Sequence, residues 1–154
     1  MELIRWILAV AHVLAGAAWF GAMLYSLMVL HPRARSFFVN VRQLEEFISY
    51  LAAGARWKVL SGIAFIGLTG AGLIFCSPAG QPSSAQWVIL TVKMVLFTAA
   101  IGVFCFASWV LWPARTLASV EEMAKFQRKF RFIAVALILL VGASIGLGVV
   151  SSYL

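Results

Sequence analysis

The fold is decided by a stretch near the middle of the chain, Trp87–Trp112, which reads WVILTVKMVLFTAAIGVFCFASWVLW. Its single charged residue is Lys93. A helix needs roughly 20 apolar residues to cross the hydrocarbon core of a bilayer, and this stretch is long enough to do so. A tryptophan stands at each end, as is typical of the two membrane interfaces. The stretch therefore predicts a transmembrane helix.

Three further apolar runs lie outward from it, at about residues 6–30, 59–76 and 132–153. We interpret the first run as a true span and not as a cleaved signal peptide, because it is longer than the apolar region of about 7–15 residues that such peptides carry. Four spans and their connections fill the 154 residues. We predict an all-α polytopic membrane protein, residues 1–154 forming one transmembrane domain, an antiparallel four-helix bundle.

The composition excludes an ordinary soluble domain. The chain is 64% hydrophobic and 11% charged, with a mean hydropathy of +1.01. Soluble domains are about 45–50% apolar and about 25% charged. The net charge is +7, but in a chain this apolar we attribute the basic residues to membrane topology and contact with anionic lipid, and we expect no nucleic-acid partner.

The charges are concentrated in two loops. The connection between the second and third runs, residues 77–86, contains no charge. Because positive residues remain on the cytoplasmic side, both basic loops are expected in the cytoplasm and both termini on the periplasmic side of a bacterial inner membrane. The basic residues of the two loops are Arg33, Arg35, Arg42, Arg56 and Lys58, and Arg115, Lys125, Arg128, Lys129 and Arg131.

Both basic loops are expected to contain helix. Apolar residues recur at helical spacing between Val41 and Leu51, which predicts an amphipathic helix before the second span. The sequence Ser119-Val120-Glu121-Glu122 fits a capping box, in which a serine and an acidic residue three positions later cap a helix start. The fourth helix should therefore begin near Val120, well before it enters the bilayer.

Two ionisable side chains within the spans are candidates for function, His12 and Lys93. A charge in hydrocarbon is costly, so such residues mark functional sites by default. Each stands six residues after a tryptophan at an outer span end, Trp6 or Trp87. This places both about 9 Å into the membrane at 1.5 Å per residue. The common depth predicts a shared site in the outer half of the bilayer.

His12 lies on one helix face with Gly16 and Trp19. A histidine with a glycine one turn away and a tryptophan two turns away can ligate a haem iron and flank a porphyrin. Lys93 would be the opposite axial ligand if its amine is neutral, or would pair with a propionate or an anionic substrate. The structural alternative is that His12 bonds to a neighbouring helix and Lys93 extends to the interface.

The second histidine, His31, ends the first run in the sequence His31-Pro32-Arg33. It lies about 28 Å from His12 along a helix, too far for both to bind one metal within one chain. We interpret it as an interfacial polar residue. A homodimer would bring two copies of one histidine together across a twofold axis.

Copper is the competing cofactor, since methionine, cysteine and imidazole suit Cu(I). Cys76 and Cys105 show no metal spacing. The chain has no Asp, and its Glu residues lie outside the runs. Neither a carboxylate relay nor a Ser/His/Asp triad is available within the membrane, so any activity is expected to be redox chemistry on a cofactor. A non-catalytic subunit, packed into a larger complex through glycine-rich faces, is a third hypothesis.

Three motifs resemble helices of the CopD-like superfamily, which includes the copper-resistance D membrane domain and the HemJ-type protoporphyrinogen oxidases. The stretch from His12 through Trp19 to Gly21 resembles the first helix, with its His and later Trp-x-Gly. Arg56-Trp57-Lys58 followed by Gly67-Leu68-Thr69-Gly70 resembles the next helix, and Gln86-Trp87 with Lys93-Met94 resembles the HemJ-type third helix.

The resemblance implies haem b binding, and oxidation of protoporphyrinogen linked to the respiratory chain, with a porphyrin or quinone as substrate. His12 would then be the haem ligand, while Lys93 and Arg56 would be functional residues. The copper-resistance D branch of the superfamily implies copper transport or handling instead.

Overall fold

The computed structural model describes residues 2–76 and 83–151, and every regular element in them is helical. Four helices are long and apolar enough to cross a membrane, as the sequence predicts for a multi-pass membrane protein. We number the helices in chain order: α1 is Glu2–Phe37, α2 is Val41–Ala52, α3 is Ala55–Phe75, α4 is Ser84–Thr116 and α5 is Val120–Ser151.

The four long helices coincide with the four predicted spans and extend beyond six of the eight predicted ends, while α3 stops at Phe75, one residue short of the predicted end. α1 continues past residue 30 to Phe37, and α4 past Trp112 to Thr116. The capping box at Ser119 and Glu122 is present, so α5 begins at Val120 as predicted. Of the predicted chargeless connection at 77–86, residues 77–82 lie outside the described residues and residues 84–86 already belong to α4. The predicted span end at residue 153 also lies outside the described residues.

Two of the long helices contain a π-helical segment that ends two residues before a proline. The segments are Ser26–Leu30 in α1 and Phe106–Leu111 in α4, and Pro32 and Pro113 follow. A proline has no N–H to donate, and its ring collides with the carbonyl four residues earlier. The wider π turn accommodates the proline, so each helix continues through it without breaking.

The long helices form an antiparallel ring in the order α3, α1, α5, α4. α1 packs along α3, α4 packs along α5, and α1 also contacts α5. Phe97 of α4 lies against Gly67 of α3, and Trp57 and Trp109 stack edge to face, which closes the ring. The start of α1 and the end of α5 therefore lie at one end of the bundle and both basic loops at the other.

The basic end is covered by α2, which confirms the predicted amphipathic helix. Asn40 caps its start by accepting a bond from the N–H of Arg42, and Leu44 is buried beneath it. Gly54 then reverses the chain into α3 with φ at 72°, a left-handed conformation that glycine adopts without strain.

The core lies in the middle of the bundle. Ala100, Leu137 and Val141 form a buried cluster, and Trp19 and Met23 of α1 pack against it. Large apolar side chains cover the outer surface, and residues such as Leu68 and Leu139 are 73% and 66% exposed. A water-soluble monomer rarely presents a continuous apolar surface of this kind, so lipid is the environment that the surface fits.

Candidate functional site

His12 is held between α1 and α3 by two polar groups of α3. Its Nδ1 lies 3.0 Å from the carbonyl oxygen of Ile66 and 3.1 Å from Oγ1 of Thr69. Thr69 is buried, with 5% of its surface exposed. The Thr69 hydroxyl itself donates to the carbonyl of Phe65 at 2.8 Å. Its oxygen therefore remains an acceptor that faces the imidazole.

These contacts define which ring nitrogen of His12 carries the proton. A carbonyl oxygen can only accept, so the bond to Ile66 requires the hydrogen on Nδ1. The neutral ring then presents its lone pair at Nε2. Within the residues that the structure describes, Nε2 has no hydrogen-bond partner. The imidazole is oriented on one side and open to a ligand on the other.

Gly70 allows the close approach of His12 to α3. A Cβ at this position would lie 3.1 Å from Cε1 and 3.5 Å from Nδ1 of the imidazole. Such a contact is closer than side chains normally tolerate. The absence of a side chain at Gly70 therefore allows the imidazole to lie this close to α3, since a Cβ there would require the ring to shift by a few tenths of an ångström.

Lys93 also contacts a glycine. Its Nζ lies 3.3 Å from where a Cβ on Gly148 would stand, so the amine lies against α5. Lys93 is half-buried. The two ionisable side chains that the sequence identifies within the spans therefore rest on different helices, His12 on α3 and Lys93 on α5, and the part of the chain that the structure describes shows no bond between them.

Two other predicted residues lie on the His12 face of α1 and have different surroundings. No heavy atom of a neighbouring element comes within 4 Å of a Cβ placed on Gly16, so this glycine leaves open space one turn from His12. Trp19 instead packs against the core cluster of Ala100, Leu137 and Val141. Its contacts are those of a core residue.

Arg56 does not join this group. It stands at the start of α3, about 15 Å from Ile66 along the helix axis. Its guanidinium lies 5.0 Å from the centre of the Trp109 ring, a cation–π contact. It borders a groove of about 250 Å³ that is lined by apolar and aromatic residues of α3, α4 and α5, among them Phe104 and Phe130.

Sequence reasoning missed a polar network at the basic end of the bundle. Arg115 donates to one oxygen of Glu45 at 2.6 Å and 3.0 Å, and Gln127 donates to the other at 2.9 Å. Arg35 in turn donates to Gln127 at 2.8 Å. The network joins α1, α2, α4 and α5. The only sequence signal for it was the apolar face of α2. That face, which includes the buried Leu44, indicates which side of α2 is turned inward but not which residues Glu45 contacts.

His31 belongs to the helix that contains it. Its Nδ1 lies 2.7 Å from the carbonyl oxygen of Ser26 and 3.2 Å from the Ser26 hydroxyl. Ser26 begins the π segment, so the imidazole binds a carbonyl group at the point where the regular helical pattern changes. His31 therefore lies toward the basic end of the bundle, and its hydrogen-bond partner, Ser26, belongs to the same helix.

The metal-ligating side chains are dispersed. In the described part of the chain, no three His, Cys, Asp or Glu residues lie close enough together to hold an ion. Cys76 and Cys105 are both free thiols. His12, with a free Nε2, is the metal-ligating group that the geometry prepares best.

Comparison of this chain with protein-family models, with curated proteins and with solved structures finds no match. The resemblance of its motifs to the CopD-like superfamily stays a prediction.

Proposed function

We propose that this protein binds haem b within the membrane through His12, for electron transfer or for oxidation of a porphyrinogen. The observation that carries the proposal is the hydrogen bond from Nδ1 of His12 to the carbonyl of Ile66. Histidines that ligate metals almost always donate their other ring N–H to a carbonyl or carboxylate, which fixes the tautomer. Nε2 of His12 is accordingly the nitrogen that would face the iron.

The surroundings of His12 fit a haem ligand in three respects. Thr69 adds a second polar contact to Nδ1, so the ring is held against rotation. Gly16 leaves open space one turn further along the same helix. Lys93 supplies an amine at the other side of the site, as a second ligand or as a partner for a propionate. A bound haem would supply reversible one-electron chemistry.

The residues of this chain would orient the cofactor and exclude water. The Ile66 carbonyl disfavours the tautomer of His12 in which Nδ1 carries no hydrogen. The apolar core cluster of Ala100, Leu137 and Val141 lies between this site and the basic end of the bundle. An axial histidine and the polarity of its surroundings are the means by which a protein adjusts a haem potential.

We further propose that the basic end of the bundle is cytoplasmic and both termini are periplasmic, in a bacterial inner membrane. The antiparallel ring collects the basic residues of both loops at one end. Positive residues beside membrane spans remain on the cytoplasmic side.

Visible absorption spectra test the haem proposal. The purified protein should show a Soret band, and dithionite should produce resolved α and β bands. His12→Ala should lose these bands. His31→Ala is the matched control, since it removes the only other histidine, whose Nδ1 is engaged by Ser26, and it should retain them.

The alternatives give different results in the same preparation. A colourless protein with stoichiometric copper would replace the proposal with copper handling. A colourless, metal-free protein that purifies with other membrane subunits would indicate a structural role in a larger complex. Haem bands that survive in His12→Ala would contradict the assignment of the ligand.

A further inference from the structure

The chain contains an internal repeat at a shift of 81 residues. Trp6 and Trp87 occupy equivalent positions, and so do Gly21 and Gly102. The repeat is strongest at the basic end, where Val29-Leu30-His31-Pro32 aligns with Val110-Leu111-Trp112-Pro113. No gap is needed between Trp6 and Pro32. At this shift His12 aligns with Lys93.

The backbone repeats at the same register. The π segments Ser26–Leu30 and Phe106–Leu111 end at equivalent leucines, one residue before the aligned His31 and Trp112. π-helix accounts for well under 1% of residues in globular proteins. Two such segments at one register, each with its proline, mark α1 and α4 as copies of one helix.

The second helix of each half repeats as well. α3 and α5 align at a shift of 78 residues, which places buried Ile63 opposite buried Val141 and Gly70 opposite Gly148. The contacts of the two polar residues follow this alignment. His12 lies over Gly70 and Lys93 lies over Gly148. In each half, a polar residue of the first helix rests on the equivalent glycine of the second.

The two halves also contact each other, the first helix of each half against the second helix of the other, although the contacts do not fall at positions that the alignment makes equivalent. Phe20 of α1 lies against Gly142 of α5, at 3.2 Å from where its Cβ would stand. Phe97 of α4 lies against Gly67 of α3, at 3.6 Å. α1 and α4 run in the same direction, so the pseudo-twofold axis follows the length of the bundle. In secondary transporters built from parallel repeats, the substrate site lies at the interface between the repeats.

We infer that the chain is an internal duplication of a helical hairpin, and that His12 and Lys93 are one position in its two copies. They form the two sides of a single ligand site between the halves. The ligand class rests on the proposed function: a flat metal complex that His12 would ligate through its imidazole and that Lys93 would bind through its amine. Divergence of the two copies has left one side with an imidazole and the other with an amine.

Exchange of the two residues tests this inference. His12→Lys should lower haem occupancy by about tenfold or more, since it removes the ligand. Adding Lys93→His to that variant should restore occupancy toward the wild-type level, because the imidazole returns to the same site from the other half. Val13→Met with Met94→Val is the matched control, since these neighbours are also equivalent but are 65% and 52% exposed, and it should change nothing.

A double variant that is as empty as His12→Lys, although folded, would overturn the shared site. Thermal unfolding of the haem-free proteins provides a readout that does not depend on haem. If the positions form one site, the fall in Tm of the double variant should be smaller than the sum of the falls measured for His12→Lys alone and Lys93→His alone. Additive losses would refute the inference. A colourless wild-type protein with non-additive losses would refute the proposed function alone.

Discussion

The polar network at the basic end allows a quantitative test of how the bundle is held together. The side chains of Arg115 and Glu45 are 6% and 14% exposed and form two hydrogen bonds. Glu45→Gln preserves the shape of the side chain and removes its charge, so the Arg115 guanidinium is left buried without a counter-charge. Breaking a buried pair from one side destabilises proteins by about 3–5 kcal/mol.

The neighbouring residue provides the control. Glu46 pairs with Arg42 at 3.2 Å, but these side chains are 66% and 84% exposed. A pair of this kind on one helix contributes about 0.3–0.5 kcal/mol, so Glu46→Gln should change little. Unfolding in mixed micelles with increasing dodecyl sulfate measures both variants. If Glu45→Gln costs no more than Glu46→Gln, the network does not hold α2 to the bundle, and our reasoning is wrong.

Three further predictions concern the site and the topology. Thr69→Val should lower haem affinity about 10–100-fold in a haem titration, because it removes a second contact of a ligating histidine; Thr69→Ser, which retains the hydroxyl, should not. Gly70→Ala should displace the imidazole and alter the haem spectrum, because its Cβ would lie 3.1 Å from Cε1 of His12. Gly62→Ala is the control, since it lies on the same helix with no neighbouring atom within 4 Å, and it should instead raise the free energy of unfolding by about 0.5–1 kcal/mol. If the two variants change the haem spectrum and the stability equally, this role of Gly70 is contradicted. A periplasmic alkaline phosphatase fused after residue 154 should be active and the same fusion in the loop after Ala118 inactive; the reverse pattern would invert the topology.

The membrane fold could be predicted from the sequence because lipid imposes a simple rule on it. Every span must satisfy its own backbone bonds and remain apolar for roughly 20 residues. The start of α5 at Val120 could be predicted as well, since a capping box is a local pattern. The lengths of α1 and α4 are harder to predict, because Pro32 and Pro113 suggest helix ends. In the structure the π segments accommodate these prolines, and both helices continue past them.

The candidate site could be predicted only in part. The scarcity of ionisable residues in the spans singled out His12 and Lys93, but no local pattern relates His12 to the Ile66 carbonyl 54 residues away. The same holds for Glu45 and Arg115, which are separated by 70 residues. The motif around Arg56 groups this residue with the site, but Arg56 stands at the start of α3 and therefore lies at the basic end of the bundle.

Chemical rescue of His12→Gly tests the central claim most directly. The variant removes the imidazole and leaves the Ile66 carbonyl and the Thr69 hydroxyl in place to receive a free imidazole. We expect the purified variant to lack a Soret band, and we expect added haem with imidazole to restore it in proportion to the imidazole bound. A variant that holds haem without imidazole, or one that imidazole leaves unchanged, would contradict the assignment of His12 as the iron ligand.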